Sequence, residues 1–322
     1  MAPPRPVTVV GGGVSGLTCA VVLAEAGHPV RVVSRDRPAD TTSAVAAALW
    51  FPYRVLPYDR ALAWSRTGYE RFADLAAATP AAGVRMRWGV ELARDEPGDP
   101  WWAAAVPELT VVRDVPPGYR AGWRFAAPVV DMGIYLPWLS TRAAAAGVTT
   151  ATRALAPSDL ADPADPAGLG DLVVDCAGLG TRDLVPDPTV GPVRGQVVVV
   201  DQVGIEEWVC DDGDDARLTY VVPRLDEVVV GGTAEDGAWD LRPDPAVAGA
   251  ILDRAVALVP ALAGAGVRRH QVGLRPARPS VRLEAEQREG RTIVHDYGHG
   301  GAGVTLSWGC AEEVAALVAG VA

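Results

Sequence analysis

Lysine and asparagine are absent from the 322 residues, so all 29 basic side chains are arginine. Without lysine the chain cannot form a Schiff base, which removes the amine chemistry that depends on pyridoxal phosphate. Basic charge is also in deficit. The net charge of −11 repels phosphate backbones and argues against nucleic acid as a partner. Only four cysteines occur, Cys19, Cys176, Cys210 and Cys310, and their scatter shows no metal-ligand spacing. Reduced thiols and no metal are therefore expected. Hydrophobic residues make up 49% of the chain, yet Gly, Pro or charge breaks every long apolar stretch, so no membrane association is expected. Met1 to Pro6 lead straight into Val7-Thr8-Val9-Val10, leaving no room for a secretory signal. A soluble cytoplasmic protein acting on small molecules is the expectation.

What is present is an α/β pattern. Val7 to Val10 form a β-branched run ending at Gly11-Gly12-Gly13-Val14-Ser15-Gly16, and Leu17, Ala20, Val21 and Ala24 follow at helical spacing. Gly27 suits the end of that helix, and Val30 to Val33 supply a second strand, completing a βαβ unit. Leu172 to Asp175 form another strand, followed by the turn Cys176-Ala177-Gly178. Val197 to Val200, Tyr220 to Pro223 and Val228 to Val230 read as strands of a second, mostly antiparallel sheet. Ala246 to Leu258 read as a helix, Pro157 to Gly170 as an irregular surface loop, and a glycine-rich loop at 298 to 303 leads into a closing apolar helix. The length exceeds what one core usually supports, so two packed domains are expected. Both are discontinuous in sequence.

Gly11, Gly13 and Gly16 match G-x-G-x-x-G in the context the motif requires. The first permits the turn, the second lets the backbone approach a pyrophosphate, and the third lets helix and strand pack closely. Amides at the helix start, at Val14 and Ser15, would hold the anion. Which dinucleotide binds is left open. An acid usually ends the second strand, and here Ser34-Arg35-Asp36 stands there. Arg35 suits a 2′-phosphate, as in a reductase using NADP; alternatively it packs on adenine while Asp36 supplies the carboxylate.

Three further segments resemble the D-amino-acid oxidase family, and with the N-terminal unit the resemblance spans nearly the whole chain. Thr41-Thr42-Ser43-Ala44-Val45-Ala46-Ala47-Ala48-Leu49-Trp50-Phe51-Pro52-Tyr53 is similar to the family's hydroxyl-rich loop and small-residue helix beneath the FAD. Val272-Gly273-Leu274-Arg275-Pro276-Ala277-Arg278-Pro279 resembles its G-[FL]-R-P-x-R-P strand. His295-Asp296-Tyr297-Gly298-His299-Gly300-Gly301-Ala302-Gly303, running on to Trp308-Gly309-Cys310, resembles its C-terminal signature, with Asp296 where Asn is usual. The resemblance implies a Rossmann-like FAD-binding domain (1–55, 137–190 and 271–322) and a discontinuous α+β substrate domain (56–136 and 191–270) with a mixed, largely antiparallel sheet. It implies non-covalent FAD held by the glycine loop and by Ser34, Arg35 and Asp36. Thr41, Thr42, Ser43, Ala48, Leu49, Cys176, Ala177 and Gly178 extend that site, and Gly298, Gly300, Gly301, Gly303, Val304 and Thr305 complete it. His295 and His299, with no carboxylate in a suitable pattern, are read as loop packing.

The same resemblance makes Arg275 the clamp for a substrate carboxylate, a task that suits a planar, permanently charged fork. Tyr220 joins it, and the Gly301 carbonyl accepts a bond from the amine. Arg278 is read as a salt-bridge residue. Ala216 stands where animal members carry a lid tyrosine, so a shortened or absent lid is expected. The implied reaction is hydride transfer from a neutral D-amino acid, giving a 2-oxo acid and ammonia, with oxygen reduced to hydrogen peroxide. D-aspartate oxidases add a basic residue where Ala234 follows Gly231-Gly232-Thr233, which favours neutral substrates here; Arg54 and Arg217 are the side chains able to reverse that. A glycine or sarcosine oxidase, an NADP-dependent reductase and a non-catalytic flavin-binding protein stand as alternatives. A homodimer is left open.

Overall fold

The computed structural model describes residues 5–162 and 164–321; Met1 to Pro4, on which the absence of a signal was argued, lie outside them. Fourteen strands form one continuous sheet. In chain order they are β1 (Val7–Val10), β2 (Val30–Ser34), β3 (Val84–Ala93), β4 (Thr110–Val112), β5 (Ala121–Val130), β6 (Thr149–Thr152) and β7 (Leu172–Asp175). Then come β8 (Gly191–Asp201), β9 (Trp208–Asp211), β10 (Thr219–Pro223), β11 (Glu227–Gly231), β12 (Glu235–Asp236), β13 (Val267–Arg288) and β14 (Arg291–His299). The spatial order is β4-β5-β3-β9-β10-β11-β8-β13-β14-β7-β1-β2-β6, with β12 paired to β8.

At one end β14, β7, β1, β2 and β6 run parallel, as a nucleotide-binding unit requires. Their valines are buried on both faces, which suits near-continuous apolar strands covered by helices. Helix Val14–Glu25 packs there with the C-terminal helix Gly303–Gly320. At the other end β9, β10, β11, β8 and β13 are antiparallel, and the one parallel join is β3 with β9. The expected second sheet is thus not separate. The 22-residue β13 makes the link: its first half pairs with β8 and its second with β14, after a register break between Ala277 and Arg282. Such an irregularity bends a strand, letting one chain segment serve both halves.

Two local readings change. The alanine run after Thr41 is helical only over Thr42–Val45. Alanine favours helix, but sheet pairing wins: Trp50 donates its amide to the Pro128 carbonyl (2.8 Å), Val130 donates to that of Ala48 (2.9 Å), and Ala48 adopts a φ of 57°. Pro157 to Gly170 is not merely surface loop. It contains the short helix Pro157–Ala161, and Leu160 and Leu169 are buried in a core beside Val173 and Ile293.

Candidate active site

A cavity of about 720 Å³ opens along the C-terminal ends of β1, β2 and β7 and extends to β10 and β13. This is the crevice in which open α/β sheets bind ligands. Gly11 has a φ of +116°, and a Cβ there would stand 2.3 Å from the Cys176 carbonyl oxygen; one on Gly16 would stand 2.0 Å from that of Gly11. Glycine is required at both positions, and the tight turn brings Gly12, Gly13, Val14 and Ser15 onto the cavity wall. Ser43 Oγ accepts the Val14 amide (3.0 Å), so the hydroxyl-rich segment braces the helix start. The first turn of that helix carries no acidic side chain, leaving its positive end for an anion.

Ser34, Arg35 and Asp36 also line the cavity. The Arg35 fork is engaged by Asp36 at 2.8 and 3.0 Å, and Ser34 Oγ donates to the Asp36 carbonyl. Arg35 is thus already partnered by a carboxylate, which disfavours the 2′-phosphate reading.

Thr41, Thr42, Ala48, Leu49, Ala177 and Gly178 line the same wall, as do Cys176, Gly300, Gly301, Gly303, Val304 and Thr305. Two expected contacts do not. Gly16 is used for packing against Gly11, and the buried Gly298 packs against Arg278, whose Cβ would stand 2.7 Å from a Cβ there. The Thr305 hydroxyl has its bonds filled as well, accepting the Phe51 amide and donating to the Phe51 carbonyl, both at 3.0 Å. It fixes the segment crossing the cavity.

At the far end of the cavity Arg275, on β13, lies over Gly195 of β8, where a Cβ would be 2.5 Å from both terminal nitrogens. Arg275 Nη1 donates to the Thr233 carbonyl (2.9 Å), which fixes the guanidinium and leaves its other donors free. The Tyr220 ring packs on Gly231, where a Cβ would stand 2.1 Å from the ring. Burial pushes the Tyr220 hydroxyl up, against the opposing pull of Arg275, so it remains a proton donor. Arg278 pairs instead with Asp187 (2.9 Å), the expected structural role.

Three features had little signal in the sequence. Tyr53 lines the cavity and donates to Asp215 Oδ1 (2.7 Å), while Arg54, at a φ of 49°, lies 3.5 Å from Asp215 and 3.6 Å from Asp236. Asp215 belongs to the short turn Asp215–Arg217, the stretch in which a shortened or absent lid is expected. Both histidines, contrary to expectation, have carboxylate partners: His299 Nε2 lies 3.0 Å from Asp296 and His295 Nε2 lies 2.9 Å from Glu286. Spacing along the strands could not reveal the partner of His295, because Glu286 reaches it across the β13–β14 register, whereas Asp296 stands only three residues before His299. Finally, Cys19 and Cys176 converge beneath the cavity.

Residues 6–317 match the family model described as FAD dependent oxidoreductase. The chain belongs to that family. It is 52% identical over 313 residues to a D-amino-acid oxidase of Rubrobacter xylanophilus, covering 96% of this chain and 94% of that one. To a D-amino-acid oxidase of Streptomyces coelicolor it is 49% identical, covering 97% and 96%. A glycine oxidase structure from Geobacillus kaustophilus superimposes with a TM-score of 0.81 at 21% identity, covering 98% of this chain and 95% of that one, which shows the shared fold. The cavity fits the family's cofactor: a glycine turn and two helix starts free of acidic side chains face it from opposite sides.

Proposed function

We propose that the protein oxidises neutral D-amino acids, with non-covalent FAD as cofactor and molecular oxygen as final acceptor. The observation that carries the reading is the convergence of Arg275, Tyr220 and the Gly300–Gly301 turn on one end of the cavity. FAD, when bound, supplies the two-electron acceptor. The chain's own residues orient the substrate. The Arg275 fork takes the carboxylate and Tyr220 adds a hydroxyl donor, a combination that fixes the substrate at two atoms. The Gly301 carbonyl accepts from the amine, a third point that makes the site chiral. A Cβ on Gly301 would stand 2.6 Å from the Tyr53 ring, so the turn is pressed against the site with no room for a side chain. No side-chain base is needed if the amine arrives neutral, and rate enhancement comes from orientation and electrostatics. The imino acid leaves and hydrolyses to a 2-oxo acid and ammonia, while oxygen becomes hydrogen peroxide.

Leu49, Phe51, Leu218 and Val222 give the cavity apolar walls around Tyr220, which favours neutral, apolar side chains. All four cysteines are free, and no described helix is long and apolar enough to cross a membrane; the free thiols support a cytoplasmic location. Anaerobic mixing of the yellow protein with D-alanine is the test. Bleaching by the D-enantiomer alone, with peroxide on admitting air, is expected; equal bleaching by L-alanine, or none by either, refutes the assignment.

A further inference from the structure

Three cysteines far apart in sequence meet one buried carboxylate. Cys19 Sγ lies 3.4 Å and Cys176 Sγ 3.5 Å from Asp296 Oδ2, and the two sulfurs are 3.9 Å apart. Cys310 Sγ and His299 Nε2 approach the same carboxylate from its other side, with His299 at 3.0 Å from Oδ1. Cys19 and Cys310 are 0% exposed and Asp296 1%. Among the described residues no arginine forms an ion pair with Asp296. A carboxylate removed from water without a counter-cation is costly, and this one has four soft or nitrogen donors around it instead.

The spacing of the donors is informative. Tetrahedral zinc, with bonds of ~2.3 Å to sulfur and ~2.0 Å to oxygen, needs an S–S edge of about 3.8 Å and S–O edges of about 3.5 Å. The observed edges are 3.9, 3.4 and 3.5 Å. The three atoms thus already stand at the separations that a tetrahedral zinc requires. We propose that Cys19, Cys176 and Asp296 form a buried three-donor site for a thiophilic divalent cation of the zinc class, with His299 bonded to the outer carboxylate oxygen. The site ties the N-terminal helix, the turn after β7 and the end of β14 into one unit under the glycine turn. Cys176 lines the cavity and gives the ion a way in. Each sulfur–metal bond replaces one S–H bond, whose proton goes to solvent. Affinity must accordingly rise with pH.

The test uses reduced, FAD-loaded protein equilibrated with zinc chloride, dialysed free of loose metal and analysed by plasma mass spectrometry and zinc-edge X-ray absorption. About one zinc per chain is expected, with two sulfur neighbours at ~2.3 Å. The Cys19→Ser/Cys176→Ser double variant should retain at most about a tenth of it, and Asp296→Asn should bind more weakly. Visible absorbance follows the flavin in each, separating loss of metal from loss of cofactor or fold. If the double variant does not hold FAD, the wild-type absorption spectrum decides alone. Protein that retains no zinc, zinc with only nitrogen and oxygen neighbours, or zinc retained in full by a folded double variant would each overturn the proposal; the first outcome leaves the thiols as plain hydrogen-bond donors to Asp296.

Discussion

Replacing Arg275 by lysine keeps the charge and removes the fork, so it isolates geometry from electrostatics. In the wild type one nitrogen is committed to the Thr233 carbonyl at 2.9 Å, and the remaining donors face the cavity. A lysine ammonium is a point charge on a flexible stem; it cannot hold Thr233 and both oxygens of a carboxylate in one plane. One charge-assisted hydrogen bond is lost, worth about 1.5 to 3 kcal/mol, and at ~1.36 kcal/mol per decade kcat/KM should fall roughly 10- to 150-fold. Steady-state peroxide production with D-alanine reads this directly. Gly195→Ala supplies an independent check. Its Cβ would stand 2.5 Å from both terminal nitrogens, so it displaces the same guanidinium without touching its charge and should also depress kcat/KM. Unchanged kcat/KM in Arg275→Lys would show that Arg275 only supports the fold.

Tyr220→Phe removes one neutral donor to a carboxylate and should raise KM more than it lowers kcat, with a loss of about tenfold in kcat/KM; an unaltered KM would remove Tyr220 from the clamp. At Asp187 burial acts to raise the carboxyl pKa, but bonds from Thr189, Arg278 and Tyr297 prevail and hold it at about 2. A depressed folded-state pKa contributes stability above the unfolded value, lost as pH falls towards about 2. Arg278→Gln should shrink that acid-dependent component, as read from denaturant midpoints between about pH 5 and pH 2; parallel pH profiles would refute the pairing.

The nucleotide-binding half was legible because its signals are local. Valine runs, a glycine turn and helical spacing occur within Val7–Ser34, and each fixes its neighbours' backbone directly. The proposed clamp rests on resemblance at the level of sequence, since Arg275 and Tyr220 are 55 positions apart and nothing in their spacing brings them together. Long-range sheet pairing was the hardest part. Ala44 to Leu49 has helix-forming composition, and only the partner strand β5 draws its end into extended backbone. The thiol cluster was invisible for the same reason: Cys19, Cys176 and Asp296 come from a helix, a turn and a strand that meet only after the parallel sheet is assembled.

Selectivity against acidic substrates rests on what Arg54 already holds. A second carboxylate in the cavity meets the apolar walls of Leu49, Phe51, Leu218 and Val222, and Ala234 offers it no charge. Arg54 is the nearby cation, at 3.5 Å from Asp215 and 3.6 Å from Asp236 with its side chain 40% exposed. Exposed pairs of this kind are worth about 1 kcal/mol or less, so Arg54 can leave them at modest cost. Leaving has a further consequence, because Asp215 also accepts the Tyr53 hydroxyl, and an inward swing of Arg54 would free two carboxylates at the mouth beside the incoming one. Like charges then accumulate where a counter-charge is wanted. An unpaired, partly desolvated carboxylate costs about 1 to 3 kcal/mol, so kcat/KM for D-aspartate should stand roughly 5- to 150-fold below those for D-alanine, D-valine and D-methionine at one pH. Arg54→Leu should widen the gap by removing one of the two arginines able to relieve it. Should D-aspartate lead the series in the wild type and lose that lead in Arg54→Leu, the inward swing is favourable and the apolar walls do not set the substrate class.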